Sequence, residues 1–275
     1  MSVLALKDEL VTILASCDKM KGIGQTGSLD ARLVPGKSDI DLFVLCSEIP
    51  TQEERQACYA MLQSADFTVQ MELCNGGQWG YGDVIVTEGI AIMPMYFTIT
   101  EMQEYLEEVL ECKHLEKDGR FYPVGRLASV STINVLYEEN DTWTILKNMV
   151  NRKSRSFFQT WFENEMRQAL DEEDLGRAEL RKEVLFFHQV LENALDHLLQ
   201  ALYAMNECYF PSRKRTKLAI DTFDIKPDQC YKRLMKMILN GASEDTMDKA
   251  IEDLHNMTQE IYDLADAKFH KNDFE

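Results

Sequence analysis

The sequence has no long apolar run, and no window reaches the roughly 18 apolar residues that suggest a membrane span. It has no CxxC pair, so a structural zinc site is not expected. Its seven cysteines (Cys17, Cys46, Cys58, Cys74, Cys112, Cys208 and Cys230) are odd in number and scattered, which argues against a disulfide framework. The first apolar residues run at once into Lys7, Asp8 and Glu9, unlike a signal peptide. The expectation is reduced thiols in a cytoplasmic protein. Basic charge is scarce: 29 Lys+Arg face 47 Asp+Glu, a net charge of −18. That excess argues against non-specific duplex binding, which needs a positive surface. Internal repeats and low-complexity segments are also lacking. What is present is an ordinary globular balance, 45% hydrophobic and 28% charged in 275 residues. That is enough chain for one large domain or two smaller ones.

Val3, Leu6, Leu10, Ile13 and Leu14 recur at helical spacing, which predicts a helix over 3–17. A glycine-rich turn is expected from Gly22 to Ser28. The run Asp39–Leu45 is short, apolar and bounded by turn residues, which predicts a buried strand. A helix is expected over 51–64 and a strand over 67–73. Further strands are expected at 84–86 and 90–97, with Pro94 demoting the last to an edge or bulged strand. After a helix over 101–112, the segment 113–125 reads as a junction. Beyond it the pattern is almost wholly helical. Stripes run from Leu180 to Met205 and from Met247 to Leu264, and they read as the core faces of bundle helices. The fold class expected is α+β: an N-terminal mixed sheet with flanking helices over 1–115, then an all-α bundle over 116–275.

The chemistry concentrates in Gly27-Ser28 and, ten residues on, Asp39-Ile40-Asp41. Side chains at i and i+2 of a strand share a face, so Asp39 and Asp41 project together while Ile40 and Leu42 face the core. Two adjacent carboxylates repel without a counter-ion. A divalent cation supplies one, and magnesium favours oxygen ligands shared with phosphates. Glycine lets a phosphate approach the backbone, where N–H groups and the Ser28 hydroxyl can bind its oxygens. The plain structural reading is a turn and an acidic strand end facing solvent.

Thr26-Gly27-Ser28-Leu29 with Lys37-Ser38-Asp39-Ile40-Asp41-Leu42 resembles the nucleotidyltransferase superfamily, of polymerase-beta-like fold. Less specifically, Gly89–Phe97 is similar to the family's later strand, and Val135–Asp141 and Leu202–Lys214 are similar to antibiotic-modifying members with a helical C-terminal domain. The resemblance implies phosphate binding by Gly27 and Ser28, and Mg²⁺ held by Asp39 and Asp41 as the catalytic pair. The implied reaction moves a nucleoside monophosphate from a nucleoside triphosphate to a small hydroxylated acceptor, as aminoglycoside- and lincosamide-modifying relatives do. The lack of an apolar run argues against a membrane partner and the net charge against a nucleic-acid one, while the resemblance admits a homodimer. The acidic excess would suit a cationic acceptor. One departure stands out: the third carboxylate of many members aligns at or next to Met93, which cannot ligate magnesium. Glu72 or Asp83 can substitute, or be ordinary acids. Two alternatives therefore stand beside the enzyme: a non-catalytic nucleotide-binding regulator, and a toxin-like transferase acting on RNA or protein.

Weaker signals lie further along. Arg213, Lys214, Arg215 and Lys217 form a dense basic cluster. The resemblance favours Lys214 for the β- and γ-phosphates, with Lys217 secondary; the plain reading is a solvated helix end. Glu192 and Asp196, at i and i+4, share a helix face and offer a general base or a solvated surface. His188 reads as a satisfied core histidine. Trp79 and Tyr81, in a glycine-rich hairpin, can stack on a ring or pack the loop.

Overall fold

The computed structural model describes residues 2–27, 32–63 and 66–269. The chain forms two compact units, one of residues 1–114 with 126–152, the other of 115–125 with 153–275. Together they make a mixed α+β protein.

The first unit is built on a six-stranded sheet. Its elements are α1 (Val3–Ala15), β1 (Met20–Thr26), β2 (Asp39–Cys46), α2 (Gln52–Tyr59), β3 (Thr68–Asn75), β4 (Tyr81–Thr87), β5 (Ile90–Thr98), α3 (Ile99–Leu110), most of α4 (Pro123–Ser131), β6 (Asn134–Glu138) and α5 (Thr142–Val150). The strand order is β3-β4-β5-β2-β1-β6. Among the described residues, only β2 and β5 pair in parallel, and every other neighbouring pair of strands is antiparallel. Threonine–glutamate capping boxes start α2 (Thr51, Glu54) and α3 (Thr98, Glu101), satisfying donors that an α-helix leaves open at its start.

Alternation along β2 divides the unit's interior in two. Ile40, Leu42, Val44 and Cys46 join a buried cluster with Leu6, Leu10 and Leu14 of α1 and Tyr59 of α2. Phe43, on the other face, meets Phe97 edge-on at 5.5 Å and stacks on Trp143 of α5 at 6.5 Å. Helices thus cover both faces of the sheet.

Two expectations are corrected here. Residues 20–26 form a strand, so the turn expected from Gly22 cannot begin before Gly27. The glycines of that strand serve packing. A Cβ on Gly22 would lie 2.8 Å from the Trp143 ring, and one on Gly24 2.4 Å from Ile133. The strand holding Pro94 is also no edge: β5 lies between β4 and β2. Proline fits because β4 and β5 pair at Tyr81–Gly82 with Tyr96–Met95 and at Ile85–Thr87 with Ile92–Ile90, and Pro94 falls in the unbridged gap.

The second unit is helical, with α6 (Arg155–Gln168), α7 (Glu172–Arg181), α8 (Val184–Met205), α9 (Thr216–Thr222), α10 (Cys230–Gly241) and α11 (Met247–Phe269). α8 packs against α6, α7, α10 and α11, and its second half is buried almost all round. The first stripe breaks earlier than its spacing suggests. Lys182 ends α7 with φ +56°, and Leu180 is left 85% exposed. No described helix is long and apolar enough to cross a membrane.

Candidate functional site

β2 opens with the acidic pair. Asp39 is exposed and Asp41 half-buried, on the face opposite Ile40 and Leu42. Across the sheet, Asp41 stands opposite Thr26, the last residue of β1. Gly27 comes next, with φ +82°, a left-handed conformation that favours glycine. A Cβ placed on it would lie 3.8 Å from Asp41 Oδ2. The sheet therefore brings Gly27, Asp39 and Asp41 together at one end of β1 and β2. Ser28 lies outside the described residues.

On the other flank, Ala91 of β5 pairs with Asp39 and Met93 with Asp41. The position beside Asp41 is thus a thioether. Neither proposed substitute supplies the missing acid. Asp83 is buried, and it accepts hydrogen bonds from Arg55 Nε (2.8 Å), Tyr59 Oη (2.7 Å) and the Glu72 backbone N–H (2.8 Å). Glu72 itself lies 3.7 Å from Arg55. Both acids belong to the α2 network, away from the Asp39/Asp41 face. Among the described residues, no group of three or more His, Cys, Asp or Glu is placed to hold a metal. Two carboxylates on one strand face fit a single magnesium ion whose other ligands are phosphate oxygens and water.

Beyond Asp41 on the same face stands a cation that sequence reasoning did not single out. Arg126 is 4% exposed, with its guanidinium 4.5 Å from the Phe43 ring centre and 4.9 Å from that of Phe97. It donates to the Gln78 carbonyl. Burial lowers its pKa to about 10, opposed by the charges of Tyr105 and Asp41. A signal did exist, because Arg126 is the single charged residue between Phe121 and Tyr137. An isolated charge in an apolar helix needs a buried partner or an aromatic surface. Arg126 also lines a cavity of about 350 Å³ with Gly77, Tyr81, Phe97, Tyr105 and His114. Trp79 is not among its walls and is 45% exposed.

The remaining candidates lie in the second unit. Lys214 is exposed, its backbone N–H bonded to Ser212. Lys217 pairs with Asp221 at 2.7 Å, as a helix-surface cation does. Asp196 is neither a solvated acid nor an open base. It is 2% exposed and accepts from Tyr122 Oη at 2.7 Å, Arg213 Nε at 2.5 Å and Lys117 Nζ. Burial pushes its carboxyl up, and the bonds from Arg213, Lys117 and Tyr122 outweigh that and hold it below its ordinary value. Glu192 stays exposed, 3.5 Å from Arg213. His188 is half-buried, its ring edge-on to Phe187.

No protein-family model and no curated protein matches the chain. Among solved structures, the chain is similar to a nucleotidyltransferase-like protein from Exiguobacterium sibiricum 255-15. The two are 14% identical over 98% of this chain and 79% of the other, with a TM-score of 0.48.

Proposed function

We propose that this chain is a metal-dependent nucleotidyltransferase, moving a nucleoside monophosphate from a nucleoside triphosphate to a hydroxyl of a small acceptor. The observation that carries the reading is the junction of β1 and β2, where a left-handed Gly27 faces the Asp41 carboxylate and Asp39 shares its face. Gly27 leaves room for a phosphate against the backbone. Asp39 and Asp41 would hold one Mg²⁺, which when bound neutralises triphosphate charge and favours in-line displacement at the α-phosphorus. The acceptor oxygen forms the new P–O bond as pyrophosphate leaves. Tyr81 and Phe97, in the wall of the neighbouring cavity, offer ring surface for a nucleoside or a ring-shaped acceptor. A cationic antibiotic is the favoured acceptor.

The test is pyrophosphate release from labelled triphosphates with Mg²⁺ and a panel of hydroxylated acceptors. Release that Asp39→Asn abolishes supports the transferase. Tight triphosphate binding with no release under any condition overturns it. That result would favour the second reading, a nucleotide-binding regulator, which rests on Met93 beside Asp41.

A further inference from the structure

On the face of the sheet covered by α1 and α2, away from the acidic pair, two thiols meet. Cys17 lies just past the end of α1, and Cys58 is in the last turn of α2. Their Sγ atoms are 2.9 Å apart, although 41 residues separate them in the chain. Both are free thiols. Cys58 is buried and Cys17 half-exposed, and both line a cavity of about 420 Å³ with Lys19, Pro50 and Glu54. One sulfur is therefore reachable and the other waits directly behind it. That arrangement suits an attacking and a resolving cysteine.

We propose that Cys17 and Cys58 form a modification site, at which a hydroperoxide converts the two thiols into an intrachain disulfide. The Cys17 thiolate attacks the peroxide O–O bond. The departing oxygen takes up the thiol's proton and leaves as an alcohol, or as water from hydrogen peroxide. Cys17 becomes a sulfenic acid. The Cys58 sulfur then attacks the Cys17 sulfur: the S–S bond forms, the S–O bond breaks, and the hydroxyl leaves as water with the Cys58 proton. The two thiols lose two electrons in total, and the peroxide gains two. Burial and the Cys17 contact both push the Cys58 thiol up. Cys58 acts second because it is the buried sulfur, whereas a peroxide reaches the half-exposed Cys17 first. The bond ties the end of α1 to α2 and restricts the unfolded chain.

Brief exposure of the full-length protein to dilute hydrogen peroxide, then alkylation and non-reducing peptide mass spectrometry, tests the site. The expected product is a linked pair of peptides carrying Cys17 and Cys58, two hydrogens lighter than the thiol forms and separated by dithiothreitol. Cys58→Ser is expected to accumulate a Cys17 sulfenic acid that dimedone traps. Oxidation is expected to raise Tm by roughly 5–10 °C in the native sequence and not in Cys17→Ser. If Cys58→Ser does not fold, the peptide map of the native sequence decides alone. The proposal is overturned if Cys74, Cys112 or Cys208, also half-exposed, oxidise before Cys17, or if no Cys17–Cys58 linkage forms. The site stands independently of nucleotidyl transfer.

Discussion

Met93 of β5 is the direct parallel-strand neighbour of Asp41 of β2, so a thioether and not a third acid stands beside the Asp39/Asp41 pair. Met93→Asp should supply that acid. We expect Mn²⁺ affinity, measured by titration calorimetry with a non-hydrolysable triphosphate present, to rise roughly tenfold. Without metal, the added like charge should lower stability by about 1 kcal/mol. Unchanged affinity would remove the Asp39/Asp41 face from consideration as a cation site.

Asp83 should behave as a structural carboxylate. Asp83→Asn leaves the buried Arg55 with the more distant, exposed Glu72 as its charged partner, and breaking such a buried pair costs about 3 kcal/mol. Urea denaturation would read this directly. A catalytic role for Asp83 predicts the opposite pattern, with activity lost and stability kept.

Gly24 should resist any side chain. Gly24→Ala drives a Cβ into Ile133, and overpacking of this kind costs about 1–3 kcal/mol. Ile133→Val in the same chain should recover part of the loss, so the pair should couple in a double-mutant cycle. Additive effects in urea melts would refute the close contact.

Acid should loosen the second unit through Asp196. Its folded carboxyl sits below the ordinary value of 3.8, so the unfolded state binds the proton more readily. The stability it contributes is fully present above pH 3.8 and is lost as pH falls through the folded value. Asp196→Asn should flatten that part of the stability profile, measured by thermal melts between about pH 5 and pH 2. A native-like slope in the variant would place the acid sensitivity elsewhere.

The sequence exposed those features in which local pattern and tertiary role agree. β2 was legible because Ile40, Leu42 and Val44 alternate toward one face while Asp39 and Asp41 take the other. β1 was not, because its glycines read as a turn until Trp143 and Ile133, more than a hundred residues later, are seen lying against them. Pro94 misled for the same kind of reason: whether a proline is tolerable depends on which neighbouring pairs are bridged. At the candidate site, the acidic pair and Gly27 were visible in a short window. Arg126 was not, since its closeness to Phe43 and Phe97 comes from segments far apart in the chain. The fates of Glu72, Asp83 and Asp196 were hidden likewise, because a carboxylate's partners are set by packing and not by spacing.

The outer neighbour of β1 is β6, residues 134–138, and α5 lies next in the chain and covers the glycines of β1. This sets an order of events at the ribosome. The strand that leads to Gly27 emerges early, but its free edge stays open until more than a hundred further residues have been made. An open strand edge invites pairing with other chains. A nascent chain halted at residue 115 would present that edge indefinitely, together with bare glycines where the indole should lie. The two carboxylates are encoded near the beginning, yet the platform that holds them is finished only when the middle of the message has been read.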